Sequence, residues 1–417
     1  MAPWRCSQNE EQTAGMCIFA LFVAAKRRPA AQEQLTKQRT MRKLLHTADW
    51  QIGKTFGQFS PEDAAILTES RFQAVEALAA LAAGRQVDAV LVAGDVFDMQ
   101  SVSDRTLHRL FHAMSGYGGP WLLLPGNHDA ALAESVWTRI RHLGAAPDNV
   151  RLCLDNTPVL LESSKIAVLP APLTQRITYD DLTQWFDRAS SPEGYLRIGL
   201  AHGSIQGLLA DNIDSSNPIA PDRAATARLD YLALGDWHGA RRIDERTWYS
   251  GTPETDRFRA NDSGNALLVE LAPEQAPSVS THRVSRHQWL SIRSSLYGAT
   301  DTDQLLARLQ DAGTDHVLQL RLEGQLSLTE YQRLQRALQQ LQGKVRAMEL
   351  DCESLRVEPS DDDLRQLHAE GYLAQTLEEL RQLQQGEQSA LARDALLILG
   401  GLLAETRPAA PTEDAGA

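Results

Sequence analysis

Residues 89–98 read AVLVAGDVFD. Five apolar residues run straight into Gly94-Asp95, with Asp98 three positions later, so a short buried strand ends on a charged turn. The same punctuation recurs along the chain. Residues 41–53, MRKLLHTADWQIG, carry a strand over Lys43–His46 and end on Asp49, Trp50 and Gln51. Residues 121–124 (WLLL) lead to Gly126-Asn127-His128-Asp129, 197–201 to His202, and 231–234 to Asp236 and His238. Between the first two strands, Ser60-Pro61-Glu62-Asp63 supplies an N-cap, a first-turn proline and a capping acid, predicting a helix that ends at Gly84. A second helix is expected over 103–115. Residues 248–270 read as a strand, a Gly/Pro turn and a strand. Strands alternating with helices define an α/β or layered α+β domain.

Ligands of such sheets bind at the carboxyl ends of the strands, so five polar clusters in the same relative place are expected to meet in one crevice. The crevice would hold Asp, Asn, Gln and His, and no Ser or Cys nucleophile. Carboxylates, imidazoles and amide oxygens are the ligand set of hard-to-borderline divalent metals. Two ions sharing one carboxylate account for the inventory. Asp49, Gln51, Asp95 and His238 would hold one ion, and Asp95, Asn127, His202 and Asp236 the other.

The order D-x-[HQ], GDxxD, GNHD, a lone His and G-x-x-H resembles the calcineurin-like metallophosphoesterase superfamily. Within it, HTADW, AGDVFD, PGNHD, ALGDWHG and YSGTPE-x-DRF are similar to the SbcD-type DNA repair exonucleases, including the YhaO-like branch, over residues 41–270. The resemblance implies a β-sandwich flanked by helices, followed by a small α/β cap and C-terminal helices. It implies a nuclease acting on DNA, an SMC-like ATPase partner of the SbcC/YhaN type, and a homodimer. It also implies that Asp95 bridges the two metals, and that His128 protonates the leaving oxygen or stabilises developing charge, oriented by Asp98 or Asp129. Two cations would withdraw charge from the phosphate and lower the pKa of a bound water, so that in-line attack needs no covalent intermediate.

Two positions depart from the family pattern, which places His where Gln51 and Asp236 stand. Oxygen donors there make a harder site, favouring Mn²⁺ or Mg²⁺ over Zn²⁺. A neutral amide oxygen is also a poorer ligand than imidazole, so the first ion would be held weakly. Two alternatives to the nuclease follow: a phosphoesterase acting on a small nucleotide or phosphoprotein, and a non-catalytic repair scaffold with a decayed first metal site.

Composition bounds the rest. The 417 residues carry 41 Lys and Arg against 54 Asp and Glu, a formal charge of −13, so DNA would be gripped by metal and local arginines rather than by a global basic surface. Arg241, Arg242, Arg257 and Arg259 follow the last ligands and are candidates for phosphate contacts. Trp50 and Trp237 flank ligands, suited either to base stacking or to packing beneath the site. His46 reads as a core or supporting histidine, and His108 with His112 as a solvated helix face. Four scattered cysteines form no disulfide or zinc pattern, pointing to a reducing, cytoplasmic setting. Residues 16–25 are too short to span a bilayer.

The expected organisation is a disordered leader or misassigned start over 1–40, a phosphoesterase domain over 41–285, a small α/β cap over 286–360, a helical partner-docking region over 361–404, and a disordered tail over 405–417. Residues 344–417 hold 7 basic and 15 acidic residues, a strongly acidic end.

Overall fold

The computed structural model describes residues 41–207, 216–358 and 371–405. The expectations for residues 1–40, for 361–370 and for the tail from 406 fall outside the described residues.

Two six-stranded sheets face each other. The first runs, in spatial order, Ser278–Arg283, Asn265–Leu271, Arg42–Thr47, Ala89–Val92, Trp121–Leu123 and Val150–Leu152. Its last four strands are parallel and the Asn265–Leu271 strand closes against Arg42–Thr47 antiparallel, Leu44 opposite Val269. The second runs Arg241–Arg242, Thr247–Tyr249, Tyr231–Gly235, Leu196–His202, Ile166–Ala171 and Val159–Leu161, parallel through its four central strands. Period-2 alternation divides the apolar residues between two faces. Leu44, Leu91, Leu122, Val168, Ile198 and Leu200 fill the space between the sheets. Leu45, Val90, Val92 and Leu123 face the helices Pro61–Arg85, Asp104–Met114 and Val136–Leu143.

Two expectations change. The first helix runs through Gly84 to Arg85, and the left-handed residue that ends it is Gln86 (φ 52°). The runs 247–249 and 265–271 are not neighbours joined by a turn; they belong to opposite sheets, and the loop between them crosses the edge of the sandwich. Strands at 150–152, 159–161 and 166–171 carry no alternation strong enough to mark them in the sequence.

Beyond Arg283, three parallel strands (Gln288–Leu296, His316–Leu326, Ala347–Val357) alternate with the helices Ala299–Leu309 and Leu328–Gln342. Leu318, Leu320, Tyr331, Leu334, Leu338 and Val357 form their own core. This unit is seated on the sandwich: Val317 and Ala347 pack against Phe56 and Leu67, ringed by Phe59, Phe258 and Trp289, and Arg346 pairs with Asp63 at 2.8 Å. The helices Tyr372–Leu383 and Ser389–Glu405 follow. Leu377 and Leu396 are buried, and Gln384 exchanges hydrogen bonds with the Val357 backbone, accepting at 3.0 Å and donating at 2.7 Å.

Candidate metal centre

The strand-end clusters converge because the loops that carry them are stitched together. Asp49 N donates to Gly94 O at 3.0 Å, Gln51 N to Asp95 O at 2.9 Å, and Asp98 N to Ile52 O at 3.0 Å. Asp49, Gln51, Asp95 and Asp236 all sit at positive φ (54°, 43°, 51° and 101°), a conformation costly for residues with a side chain and common where a site constrains the backbone. Glycine is demanded at two neighbouring positions. A Cβ on Gly94, itself at φ +91°, would lie 2.2 Å from His202 Nδ1, and one on Gly126 would lie 2.2 Å from Asp95 Oδ1.

His202 Nδ1 lies 2.8 Å from the carbonyl of Ala93, an N–H donation that turns Nε2 into the site. That nitrogen faces Asn127 Oδ1 at 3.1 Å, Asp95 Oδ1 at 3.6 Å and Asp236 Oδ1 at 3.8 Å. Ligand atoms of Asp49, Asp95 and His202 all lie within 4.8 Å of one another, and all three residues are buried. Burial alone would lower the His202 imidazole, but the carboxylates of Asp95, Asp49 and Asp236 raise it to about 9; burial raises Asp49 to about 6. Carboxylates crowded in a dry pocket are stabilised by a cation among them, and this donor set fits a divalent metal.

Gln51 and His238 come together on the other side, with Gln51 Nε2 3.4 Å from His238 Nε2. Here the surroundings are cationic. Lys54 Nζ donates to Gln51 Oε1 at 2.9 Å and to Asp256 Oδ2 at 2.7 Å. Arg257 donates from Nη2 to His238 Nδ1 at 3.0 Å and from Nε to Asp256 Oδ1 at 3.0 Å. Burial would raise the Asp256 carboxyl, but His238, Arg71 and Lys54 hold it well below the usual range.

His128 stands at the rim. Its backbone N–H donates to Asp95 Oδ1 at 2.9 Å, its Nδ1 lies 2.8 Å from the Asp98 carbonyl, and its Nε2 is 4.0 Å from Asp95 Oδ2. Asp98 therefore orients the ring mainly through its main chain, its carboxylate standing 3.8 Å away. Asp129 is not brought to His128. Its buried carboxylate accepts from Phe97 N at 3.0 Å and Gly126 N at 2.6 Å, tying the two ligand loops together, and burial raises it to about 8. A cleft of about 210 Å³, lined by Asp98, Asn127, His128, Leu132 and Arg176, opens beside the ring.

The other named residues separate clearly. His46 lies between the sheets, with Nδ1 2.9 Å from the Tyr231 hydroxyl. Trp50 is buried edge-to-face against Trp121 and cannot stack on a base. Trp237 lies under the Arg241 guanidinium, and Arg242 stacks on Trp248. Of the four arginines only Arg257 contacts residues of the site; Arg259 is exposed. His108 and His112 are exposed on their helix.

Sequence reasoning missed the residues that hold the ligands. Arg71, buried in the first helix, donates to the Trp50 carbonyl at 2.7 Å and the Asp49 carbonyl at 3.2 Å; Thr252 Oγ1 donates to Asp49 O at 2.8 Å. Ser204 Oγ donates to Asp236 Oδ2 at 3.0 Å. An arginine inside the apolar stripe RFQAVEALAALAA was the one signal that could have found them.

A two-sheet sandwich with buried carboxylates and imidazole at its strand ends defines the class as a metal-dependent phosphoesterase. Residues 42–269 match the calcineurin-like phosphoesterase family, and the chain belongs to it. It is similar to the SbcD component of the SbcCD nuclease of Rhodobacter capsulatus, 42% identical over 283 residues, 56% of this chain and 68% of that protein. It is also similar to the SbcD component of the Bacillus subtilis SbcCD nuclease (25% identical over 335 residues, 71% of this chain and 83% of that protein). The metallophosphoesterase YhaO of the same organism is 28% identical over 206 residues, 47% of this chain and 48% of that protein.

Proposed function

We propose that this metallophosphoesterase is a DNA phosphodiesterase of the SbcD type, cleaving DNA in repair or end processing. The observation that carries the reading is the convergence of Asp49, Asp95 and His202 ligand atoms within 4.8 Å, all three residues buried, with a separate cleft beside His128. Asn127 and Asp236 complete that set. When bound, a divalent ion there, Mn²⁺ or Mg²⁺ by the hardness of the donors, supplies Lewis-acid polarisation of the phosphate and an activated water.

The chain's own residues do the remaining work. Asp98 fixes the His128 tautomer, with Nδ1–H on the carbonyl, so that Nε2 is the atom offered to the leaving oxygen. Arg71 and Thr252 hold the strained Asp49 turn by its carbonyl. Arg176, beside the cleft, and Arg257 are placed for the phosphates on either side of the scissile bond.

Residues 41–285 act as the hydrolase unit and 286–360 as a cap that rests on the loop around Phe56. The C-terminal helices are the docking face for an SMC-like ATPase partner, which the exposed Tyr372, Leu391 and Ile398 support. Among the described residues no helix is long and apolar enough to cross a membrane. We place the protein in the cytoplasm, as a homodimer.

The test is hydrolysis of end-labelled linear and hairpin DNA beside bis-p-nitrophenyl phosphate, with and without Mn²⁺. Metal-dependent cleavage of DNA supports the reading. Turnover of only the small ester would replace the substrate class, and no turnover of either would make the protein a scaffold.

A further inference from the structure

We propose that the Gln51 side of the centre is completed by the protein's own cations, Lys54 and Arg257, in place of a second metal ion, and that this pair takes a non-bridging oxygen of the phosphodiester. The inference rests on the phosphodiesterase reading above and says how its site is built.

Of the four donors expected for that ion, the two that belong to it alone, Gln51 and His238, are engaged by cations. The Gln51 amide oxygen, the one lone-pair donor that side chain has, accepts the Lys54 ammonium at 2.9 Å. His238 is enclosed by Arg257 and Asp256: its Nδ1 lies 3.0 Å from Arg257 Nη2 and 3.5 Å from Asp256 Oδ1, and that Nη2 lies 3.4 Å from its Nε2. A divalent ion bound to Gln51 Oε1 would share that oxygen with the ammonium, a like-charge contact at short range. On the opposite side no lysine or arginine among the described residues reaches the donors: His202 Nε2 looks onto three oxygens, from Asn127, Asp95 and Asp236.

Lys54 and Arg257 are held in place rather than waving in solvent. Both are anchored on Asp256, whose side chain is 1% exposed, through contacts of 2.7 Å and 3.0 Å. One carboxylate against two cations leaves one positive charge uncompensated. The Lys54 and Arg257 side chains are 22% and 44% exposed, so this charge can be reached from solvent. A preorganised cation pair at the edge of a dry site is the arrangement that binds a phosphoryl oxygen and stabilises its charge as it grows. Glutamine in place of histidine then has a physical role: an amide oxygen can accept from an ammonium, whereas an imidazole nitrogen there would compete for metal.

The experiment is Mn²⁺ titration calorimetry on the metal-stripped full chain, joined to binding of a short phosphorothioate DNA oligonucleotide. The variants are Lys54→Met, Lys54→Arg and the double change Gln51→His with Lys54→Met. The wild type is expected to bind one Mn²⁺ tightly per chain, and the double variant two. Lys54→Met is expected to weaken the oligonucleotide roughly tenfold, with Lys54→Arg restoring most of it. Two tight ions in the wild type, or oligonucleotide affinity unchanged in Lys54→Met, would overturn the proposal. If Lys54→Met does not fold, Lys54→Arg with an unchanged ion count and retained affinity still supports it, and loss of affinity there overturns it. Absence of any hydrolysis would sink the phosphodiesterase reading alone, since ion count and oligonucleotide affinity are measured without turnover.

Discussion

The two sides of the centre are built from residues equally close to strand ends, yet they are electrostatic opposites. Around His202 three carboxylates and an amide oxygen crowd a single imidazole, so negative charge is in excess and no lysine or arginine among the described residues offsets it. Around His238 a lysine and an arginine share one carboxylate, and the pocket already has its cations. The difference teaches that ligand-type residues at the right spacing do not by themselves make an ion site; what matters is whether a competing cation reaches the same lone pairs.

The sharpest way to break this comparison is to remove the carboxylate expected in both ligand sets and, separately, a donor that belongs to the Gln51 side alone. Asp95→Asn is expected to abolish tight Mn²⁺ binding and lower kcat by on the order of 10³-fold or more. Gln51→Ala should leave the tight ion in place, read by metal content after gel filtration. Equal loss of metal in both variants would erase the distinction between the sides.

His128→Ala should lower kcat by about 10²–10⁴-fold, as for a lost proton-transfer group, while Mn²⁺ affinity stays within a few-fold. A fall in metal affinity that matched the fall in rate would make His128 a ligand rather than an acid.

The loop that carries Asp256 and Arg257 can be loosened through Glu254. Its buried carboxylate accepts the Arg286 and His287 amides at 2.7 Å and 3.0 Å, fastening the loop to the chain just before the Gln288–Leu296 strand. Burial raises it to about 7 from an ordinary 4.5. The folded state thus keeps a proton that the unfolded chain releases, and stability contributed by the protonated group is lost as pH rises from about 4.5 to about 7. Glu254→Gln should remove a slope worth on the order of 3 kcal/mol across that window, measured by urea denaturation at several pH values. An unchanged slope would mean the group titrates normally.

The smallest expected effect belongs to Arg257→Ala. It should weaken DNA binding several-fold, similarly for all sequences, and flatten the salt dependence by about one unit of slope. A sequence-selective loss would show that Arg257 reads bases rather than gripping phosphate.

Much of the centre was legible in the sequence. Asp49, Asp95, Asn127, His202 and Asp236 each follow an apolar run, so strand ends located them without any structure. Trp50 and Asp129 were not separable from their neighbours, because a buried Trp against Trp121 and a carboxylate holding two loop amides look the same in sequence as exposed functional groups. Arg71 showed in the sequence only as an arginine beside an apolar stripe; its positioning role did not, since its partners are the carbonyls of Asp49 and Trp50 some twenty positions upstream. The loop between Thr247–Tyr249 and Asn265–Leu271 resembles a turn between paired strands because both flanks are apolar; only their membership of opposite sheets sends the loop across the site.

The sequence by itself determined an α/β domain with acidic, amide and imidazole donors at five strand ends. Short-range physics settles that much, through hydrophobic period, turn residues and donor chemistry. Tertiary structure alone decided which donors face open space and which face a cation, because Lys54 meets Asp256 across 202 residues of chain and His202 meets Asn127 across 75. Local pattern places a lone pair at the end of a strand; only the packing of distant loops decides what charge stands opposite it.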